Sequence, residues 1–258
     1  MVNFLEKIMK NVIETIESGY YNADTVEHEK VSLRKAILSC SKNPVIAEFK
    51  SASPSKGFLR KKEEAVQIAL SAERAGAVGI SVLTEPKYFH GSLDVFKDIR
   101  KIVSLPLLMK DFIVSNAQIE TASRIGADAI LLIQTLFDRG FSKVDLEEMI
   151  CLAHYYGMEV LLEVHTEDEF LKVVDSEADM IGINNRNLSN LNVDINTTMT
   201  ILSKYGKCGK IIVSESGIES PEQIRLLREY GVDAFLIGTS IMLSENVEEK
   251  IRSFVEAD

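Results

Sequence analysis

A chain of 258 residues is long enough for two small domains or for one fold with a large single core, and it needs no covalent staples to bury that core. Its 46% apolar and 26% charged residues match ordinary globular proteins and exclude disordered, collagenous and coiled-coil chains. A net charge of −10 disfavours nucleic acid or an anionic membrane surface as the main partner, yet leaves room for a local basic pocket.

The opening segment MVNFLEKIMKNVIETIE places acids at helical intervals and lacks both an unbroken apolar stretch and a small-residue cleavage site, so it does not read as a secretory signal. No later stretch reaches the apolar length of a membrane span. Cys40, Cys151 and Cys208 lie far apart, without zinc spacing or disulfide density, and are expected as free thiols in a reducing cytoplasm. Residues 1–43 are expected to form helices that cap the side or bottom of the fold that follows.

From Pro44 onward, short runs rich in Val, Ile and Leu alternate with longer amphipathic segments. The runs are Val45 to Phe49, Gly79 to Leu83, Pro106 to Lys110, Ala129 to Ile133, Val160 to Val164, Met180 to Asn184, Ile211 to Ser216 and Ala234 to Gly238. Nearly continuous apolar runs are what parallel strands show when helices cover them. The segments between, such as SPEQIRLLREYG from Ser220, carry helical periodicity and a capping residue. An internal repeat runs through AGAVGISVL, IGADAILLI and YGVDAFLIG, with SEADMIGIN as a looser copy, before the second, fourth, eighth and sixth runs. Eight such units predict an α/β fold, a (β/α)8 TIM barrel, as one domain over 1–258: an N-terminal helical extension at 1–43 and the barrel at 44–258. A doubly wound open sheet would want a glycine loop after its first strand, and KSASPSKG stands there instead.

Alternation along the strands then sorts the ionisable residues. Glu48 and Lys50 share one parity at the end of the first run; Lys110 shares it with Leu108, Glu163 with Leu161, and Glu215 with Val213. Asn184, Arg186 and Leu188 follow the sixth run in the same way. All lie at C-terminal strand ends, where barrels of this kind place their active sites. A self-neutralising layer of three cations and three carboxylates would also fit, but burying it costs desolvation that apolar filling avoids. A phosphate site is expected where SESG (Ser214 to Gly217, including Ser216) and IGTS (Ile237 to Ser240) put Gly217, Gly238 and Thr239 after the last two strands, with the Ser53, Pro54, Ser55 turn adding hydroxyls.

Other features read as structural. His28, His90, His154 and His165 have no metal spacing and read as surface or loop residues, His165 standing out only because it follows Glu163. Tyr155, Tyr156 and Phe170 fit helix faces in the core, and Arg60, Lys61 and Lys62 read as a solvated helix start.

In AEFKSASPSKG, SVLTEPKYFHGS, LMKDFIV, LLEVHTEDE, GINNRNL, VSESGI and LIGTSIM, taken in order, the chain resembles the indole-3-glycerol-phosphate synthase family over about 200 residues, the whole barrel. The family usually has Asp where this chain has Asn187, and residues 1–43 match only in their opening helix. The resemblance implies a carboxy-lyase of tryptophan biosynthesis that converts 1-(2-carboxyphenylamino)-1-deoxyribulose 5-phosphate to indole-3-glycerol phosphate, carbon dioxide and water. It implies no metal or organic cofactor, a phosphorylated small molecule as substrate, no nucleic-acid or membrane partner, a cytoplasmic setting, and other tryptophan-pathway enzymes as candidate partners. Lys110 is then the general acid of ring closure. Lys50, oriented by Glu48, pairs with the anthranilate carboxylate or donates in turn. Glu163 and a lysine divide the dehydration, Asn184 and Glu215 are polar orienters, Arg186 is an anion contact, and Phe112 and Leu188 line the aromatic slot. A Schiff-base lyase using a strand-end lysine and a non-catalytic binder of phosphometabolites are the competing functions.

Overall fold

A computed structural model of the protein describes residues 4–258. Eight parallel strands close into a barrel: β1 (Val45–Phe49), β2 (Gly79–Leu83), β3 (Leu107–Lys110), β4 (Ala129–Ile133), β5 (Glu159–Val164), β6 (Met180–Asn184), β7 (Ile211–Glu215) and β8 (Ala234–Ile237). Closure is made by β1, which pairs Val45 with Phe235 of β8 on one side and Ala47 with Ile80 of β2 on the other.

The strand sequences look uniformly apolar because both faces are buried against different partners. Outward residues such as Val45, Ala47, Val82, Met109, Leu132, Leu162 and Ile212 pack against the helices. Inward residues of opposite parity, including Ile46, Leu108, Ala129, Leu131, Leu161, Met180, Val213 and Leu236, form a second core along the barrel axis. Each fully buried Leu, Ile or Val contributes about 1.5–3 kcal/mol relative to exposure, so the two cores together fix the parity on which the active site depends.

The N-terminal extension divides its contacts between the two ends of the barrel. Helix α2 (Leu33–Ser39) closes the N-terminal end: Ser32 caps it and reaches Glu159 at the start of β5, Glu159 also accepts from Arg34 N at 2.9 Å, and Leu33 and Ile37 are buried. Helix α1 (Phe4–Glu17) lies at the opposite end, where Phe4 meets Tyr88 edge-on at 5.5 Å and Lys87 pairs with Glu14 at 3.1 Å in the loop after β2. The expectation of a side or bottom cap therefore describes α2 and not α1. The chain between them descends the barrel wall, from Tyr21 on Asp111 (2.9 Å) past Val26 on Arg124 O (2.7 Å) to His28 on Asp128 (2.7 Å).

Two local expectations need correction. Tyr155 is 82% exposed, stacked edge-on against Tyr156, whereas Phe170 is core as expected. The helix position of Tyr155 points it away from the barrel, which periodicity over so short a helix did not separate. Arg60 is not a solvated helix start: its guanidinium donates to Met242 O (2.7 Å) and to Ser244 O, tying the end of the short helix after β8 to the first βα connection. His28 and His165 lie in loops, as expected, and each is held there by a buried carboxylate. Among the described residues all three cysteines are free, no helix is long and apolar enough to cross a membrane, and no metal-binding cluster is present.

Candidate active site

At the C-terminal ends of the strands the axial core changes from apolar to charged, above Leu131, Val213 and Leu236. The cavity there has a volume of about 470 Å³, within the range of small-molecule sites. Lys110, the last residue of β3, stands in its floor, with Nζ 2.7 Å from Glu215 Oε2 and 3.1 Å from Glu163 Oε2. Lys50, just past β1, lies 2.5 Å from Glu48 Oε1. The glutamates are nearly inaccessible, while each lysine keeps 13% of its side chain exposed toward the cavity.

The electrostatics follow from this packing. Burial disfavours the Lys110 charge, but Glu215 and Glu163 outweigh burial and hold the ammonium above the ordinary lysine range. Burial disfavours the Glu163 charge as well and so would raise this carboxyl; Lys110, His165 and Asn184 beside it prevail and hold it well below the usual carboxylate range. Glu215 goes the other way, pushed up to about 7 by burial and by the neighbouring Glu163 despite its contact with Lys110. Asn184, at the end of β6, accepts from Arg186 N at 2.9 Å. The Arg186 guanidinium extends across the mouth to Ser55 Oγ (3.2 Å) and Leu191 O (3.3 Å).

Apolar walls face this charge. Glu85 accepts from the backbone N–H groups of Lys87, Tyr88 and Phe89 at 2.7–2.9 Å, which folds the loop after β2 so that Phe89 meets Phe112 with ring centres 6.0 Å apart. Leu131, Ile133 and Leu188 complete the apolar lining. On the other side, the chain turns over the mouth after β7 through left-handed backbone at Ser216 (φ +65°) and Gly217 (φ +81°), and Asn185 Nδ2 secures Ser216 O at 3.0 Å. The short helix α11 (Thr239–Met242) opens beside it at Gly238.

A cavity with cations at its centre, apolar walls on one side and exposed backbone on the other suits a small anionic molecule with an apolar part. The family model for indole-3-glycerol phosphate synthase matches residues 3–254. The chain belongs to the indole-3-glycerol phosphate synthase family. It is 44% identical over 228 residues to the indole-3-glycerol phosphate synthase of Aquifex aeolicus, covering 88% of this chain and 86% of that one. It is 42% identical over 252 residues to that of Methanocaldococcus jannaschii, covering 96% and 91%. As a member of the indole-3-glycerol phosphate synthase family it is a carboxy-lyase of tryptophan biosynthesis that acts on a small phosphorylated substrate. Among solved structures it is similar to a thiamine phosphate pyrophosphorylase from Pyrococcus furiosus, with a TM-score of 0.61 at 16% identity over 86% of this chain and 96% of that one. That likeness shows the barrel fold alone.

Of the residues expected from sequence, Glu48, Lys50, Lys110, Glu163, Asn184 and Glu215 line the cavity, as do Phe112, Arg186, Leu188, Ser216, Gly217, Gly238 and Thr239. Ser53 does not: it is buried in a two-strand hairpin, Ala52–Ser53 against Gly57–Phe58, where its hydroxyl accepts from Lys56 N at 3.2 Å. The tight turn places Ser55 and Lys56 at the cavity in its stead. Gly238 has a use beyond backbone approach, because an added Cβ would collide with Glu48 Oε1 and come within 3.0 Å of Lys50 Nζ. Gly182, in the middle of β6, likewise leaves the space that Glu215 Oε1 fills. Sequence reasoning missed Gly182, Asp111, Phe89 and the Glu163 to His165 contact; only the parity of Gly182 and His165 pointed at the site. Asn187 keeps an oxygen acceptor, taking Ser189 N at 2.9 Å and Asn190 N at 3.2 Å, so the loop contact expected of Asp there is made by the amide.

Proposed function

We propose that Lys110 is the general acid of ring closure and that the cavity holds 1-(2-carboxyphenylamino)-1-deoxyribulose 5-phosphate with its ring against Phe89, Phe112 and Leu188. The observation that carries this reading is the ammonium of Lys110 between two buried carboxylates, on a rigid strand end and still open to the cavity. Those carboxylates keep Nζ protonated, which suits a donor to the ketone oxygen as the aromatic carbon attacks. The same protonation disfavours a Schiff-base role, which needs a neutral amine.

Lys50, oriented by Glu48, pairs with the anthranilate carboxylate until carbon dioxide leaves. In the dehydration the carbon–oxygen bond breaks as a lysine protonates the departing hydroxyl, and Glu163 takes the ring proton whose bonding electrons form the new double bond. Glu163 suits the acceptor because its neighbours keep it ionised. Asn184 orients Glu163 and Glu215 orients Lys110, while Arg186 adds an anion contact at the mouth. The phosphate lies over Ser216, Gly217, Gly238 and Thr239, where the first N–H groups of α11 have no intrahelical acceptor. The extension and the barrel act as one domain, since Tyr21 reaches Asp111 beside the acid, and the enzyme is assigned to the cytoplasm as a member of a biosynthetic family.

The test is to mix purified protein with this substrate and follow indole fluorescence, with sodium borohydride added in a parallel reaction. Fluorescence that develops without a borohydride-trapped adduct supports the reading. A trapped adduct on Lys110 would replace it with covalent catalysis.

A further inference from the structure

The two carboxylates on Lys110 are not equivalent. Glu163 turns one oxygen to Lys110 and the other to His165 Nε2, 3.1 Å away. Glu215 meets the lysine on its Oε2 beside the Glu163 carboxylate, touches no second cation among the described residues, and its Oε1, although buried, has no hydrogen-bond partner. Two carboxylates beside one cation cannot both stay ionised cheaply, and a second cation touching only one of them breaks the tie.

His165 is built to be that cation. It follows Glu163 at the same parity just beyond β5, and its side chain is only 7% exposed. Behind it, Glu169 in the first turn of helix α8 (Glu167–Val173) accepts His165 N at 2.6 Å and lies 3.4 Å from Nδ1. The other Glu169 oxygen accepts the hydroxyl of Thr135, from helix α6 (Gln134–Asp138). The imidazole thus has a carboxylate at each nitrogen, in ion-pair contacts rather than aligned hydrogen bonds. Of the charged groups around it, Glu163 and Glu169 face the ring directly, and Lys110 and Glu215 stand beyond Glu163. Burial works against protonation of the ring, yet the two carboxylates outweigh it and raise His165 to about 9.

We propose that His165 is a positioning residue that decides where the single proton of the Glu163 and Glu215 pair resides: it fixes Glu163 as the carboxylate and leaves the proton on Glu215. The inference rests on the reading of Lys110 and Glu163 given above. Its consequence for turnover is a proton reserve next to the acid. After Lys110 has given its proton to the ketone oxygen, the carboxyl O–H bond of Glu215 breaks, an N–H bond forms at Nζ, and Glu215 is left as a carboxylate until the proton taken by Glu163 restores the pair; the lysine that protonates the departing hydroxyl is reprotonated from solvent, because loss of carbon dioxide from a carboxylate consumes one proton per turnover.

The experiment compares pH profiles of kcat for the wild type, His165→Gln and Glu169→Gln, with imidazole nitrogen NMR on the wild type. Loss of the cation lets Glu163 compete for the proton, so the acid limb of kcat moves to higher pH by about one pH unit in His165→Gln, and by less in Glu169→Gln. On that limb the rate falls about tenfold, recovers at higher pH, and KM stays within about twofold. An equal loss at every pH with an unmoved limb, as a purely structural role gives, overturns the proposal. So does a neutral His165 ring at pH 7 in the NMR spectrum, a readout that stands even if His165→Gln fails to fold. Near-normal turnover in Glu163→Gln would refute the underlying reading of Glu163 separately, because the wild-type ring titration reports the His165 charge whether or not Glu163 takes the ring proton.

Discussion

The barrel buries charge at both ends, and the two clusters are built differently. At the N-terminal end Asp128 accepts from Val31 N (2.8 Å) and His28 on one oxygen, and from Leu107 N (2.8 Å) and Arg100 (2.9 Å) on the other. Arg100 in turn donates to the carbonyls of Val103 (2.5 Å) and Leu105 (3.1 Å). Backbone groups from the extension and from the α4 (Leu93–Arg100) to β3 connection therefore consume most of that charge. At the C-terminal end Lys110, Glu163 and Glu215 hold one another through side chains, leave Glu215 Oε1 unpaired and open onto a cavity. Asp128 and Glu163 are equally inaccessible, so depth of burial does not separate the structural cluster from the chemical one. What separates them is that main-chain groups complete the partners of Asp128 and Arg100, whereas Lys110 and Glu215 are held by ionisable side chains with one carboxylate oxygen left unpaired.

That contrast is open to attack at either end. The largest effect on stability is expected at the N-terminal end: Arg100→Met strands the buried Asp128 and should cost about 3–5 kcal/mol in urea unfolding, while turnover per folded molecule stays near wild type. Lost turnover with full stability would erase the distinction. At the other end Glu163→Gln should lower kcat about a hundredfold with KM within a few fold, measured by indole fluorescence. A collapsed affinity with the rate retained would make Glu163 a binding residue.

The pH dependence of stability sharpens the same contrast. A carboxyl raised from 4.5 to about 7 on folding, as in Glu215, makes the folded state lose stability as pH rises between those values. His165, raised from 6.5 to about 9, contributes stability that is fully present below 6.5 and is lost as pH rises through 9. Unfolding free energy should therefore decline from about pH 5 to pH 9, and Glu215→Gln should remove most of the decline between pH 6 and pH 7 and only part of that below pH 6, where Asp111, raised from 3.8 to about 6, contributes as well. A flat profile in the wild type would show that the C-terminal cluster is not strained by its burial. The smallest effect belongs to Ser53→Ala, at most about 1 kcal/mol of stability through the lost turn contact, with phosphate affinity by calorimetry unchanged.

Strand parity made much of the site legible, because a period of two assigns every residue of a strand to the axis or the helices once one core residue is placed. Glu48, Lys110, Glu163, Asn184 and Glu215 were found this way. The rule fails where the strand stops. Asp111, one residue past β3, has outward parity yet lines the cavity, since the chain turns there and Thr84 and Tyr21 hold its carboxyl while burial lifts it to about 6. Ser53 failed for a related reason: a two-strand hairpin, not a simple turn, follows β1 and advances Ser55 to the mouth. Gly182 was invisible because its contribution is an absence of atoms, legible only once Glu215 is seen to occupy the space. The extension was misplaced in part because its helical pattern shows an apolar face without saying which end of the barrel covers it.

In the reading proposed above, the charge buried at the C-terminal end makes Lys110 a proton donor. The most direct test of that reading is the turnover of Lys110→Met on the carboxyphenylamino substrate, with circular dichroism recorded on the same sample. The expected result is a folded spectrum with kcat lowered by about a hundredfold or more. A folded variant turning over at near the wild-type rate would contradict it.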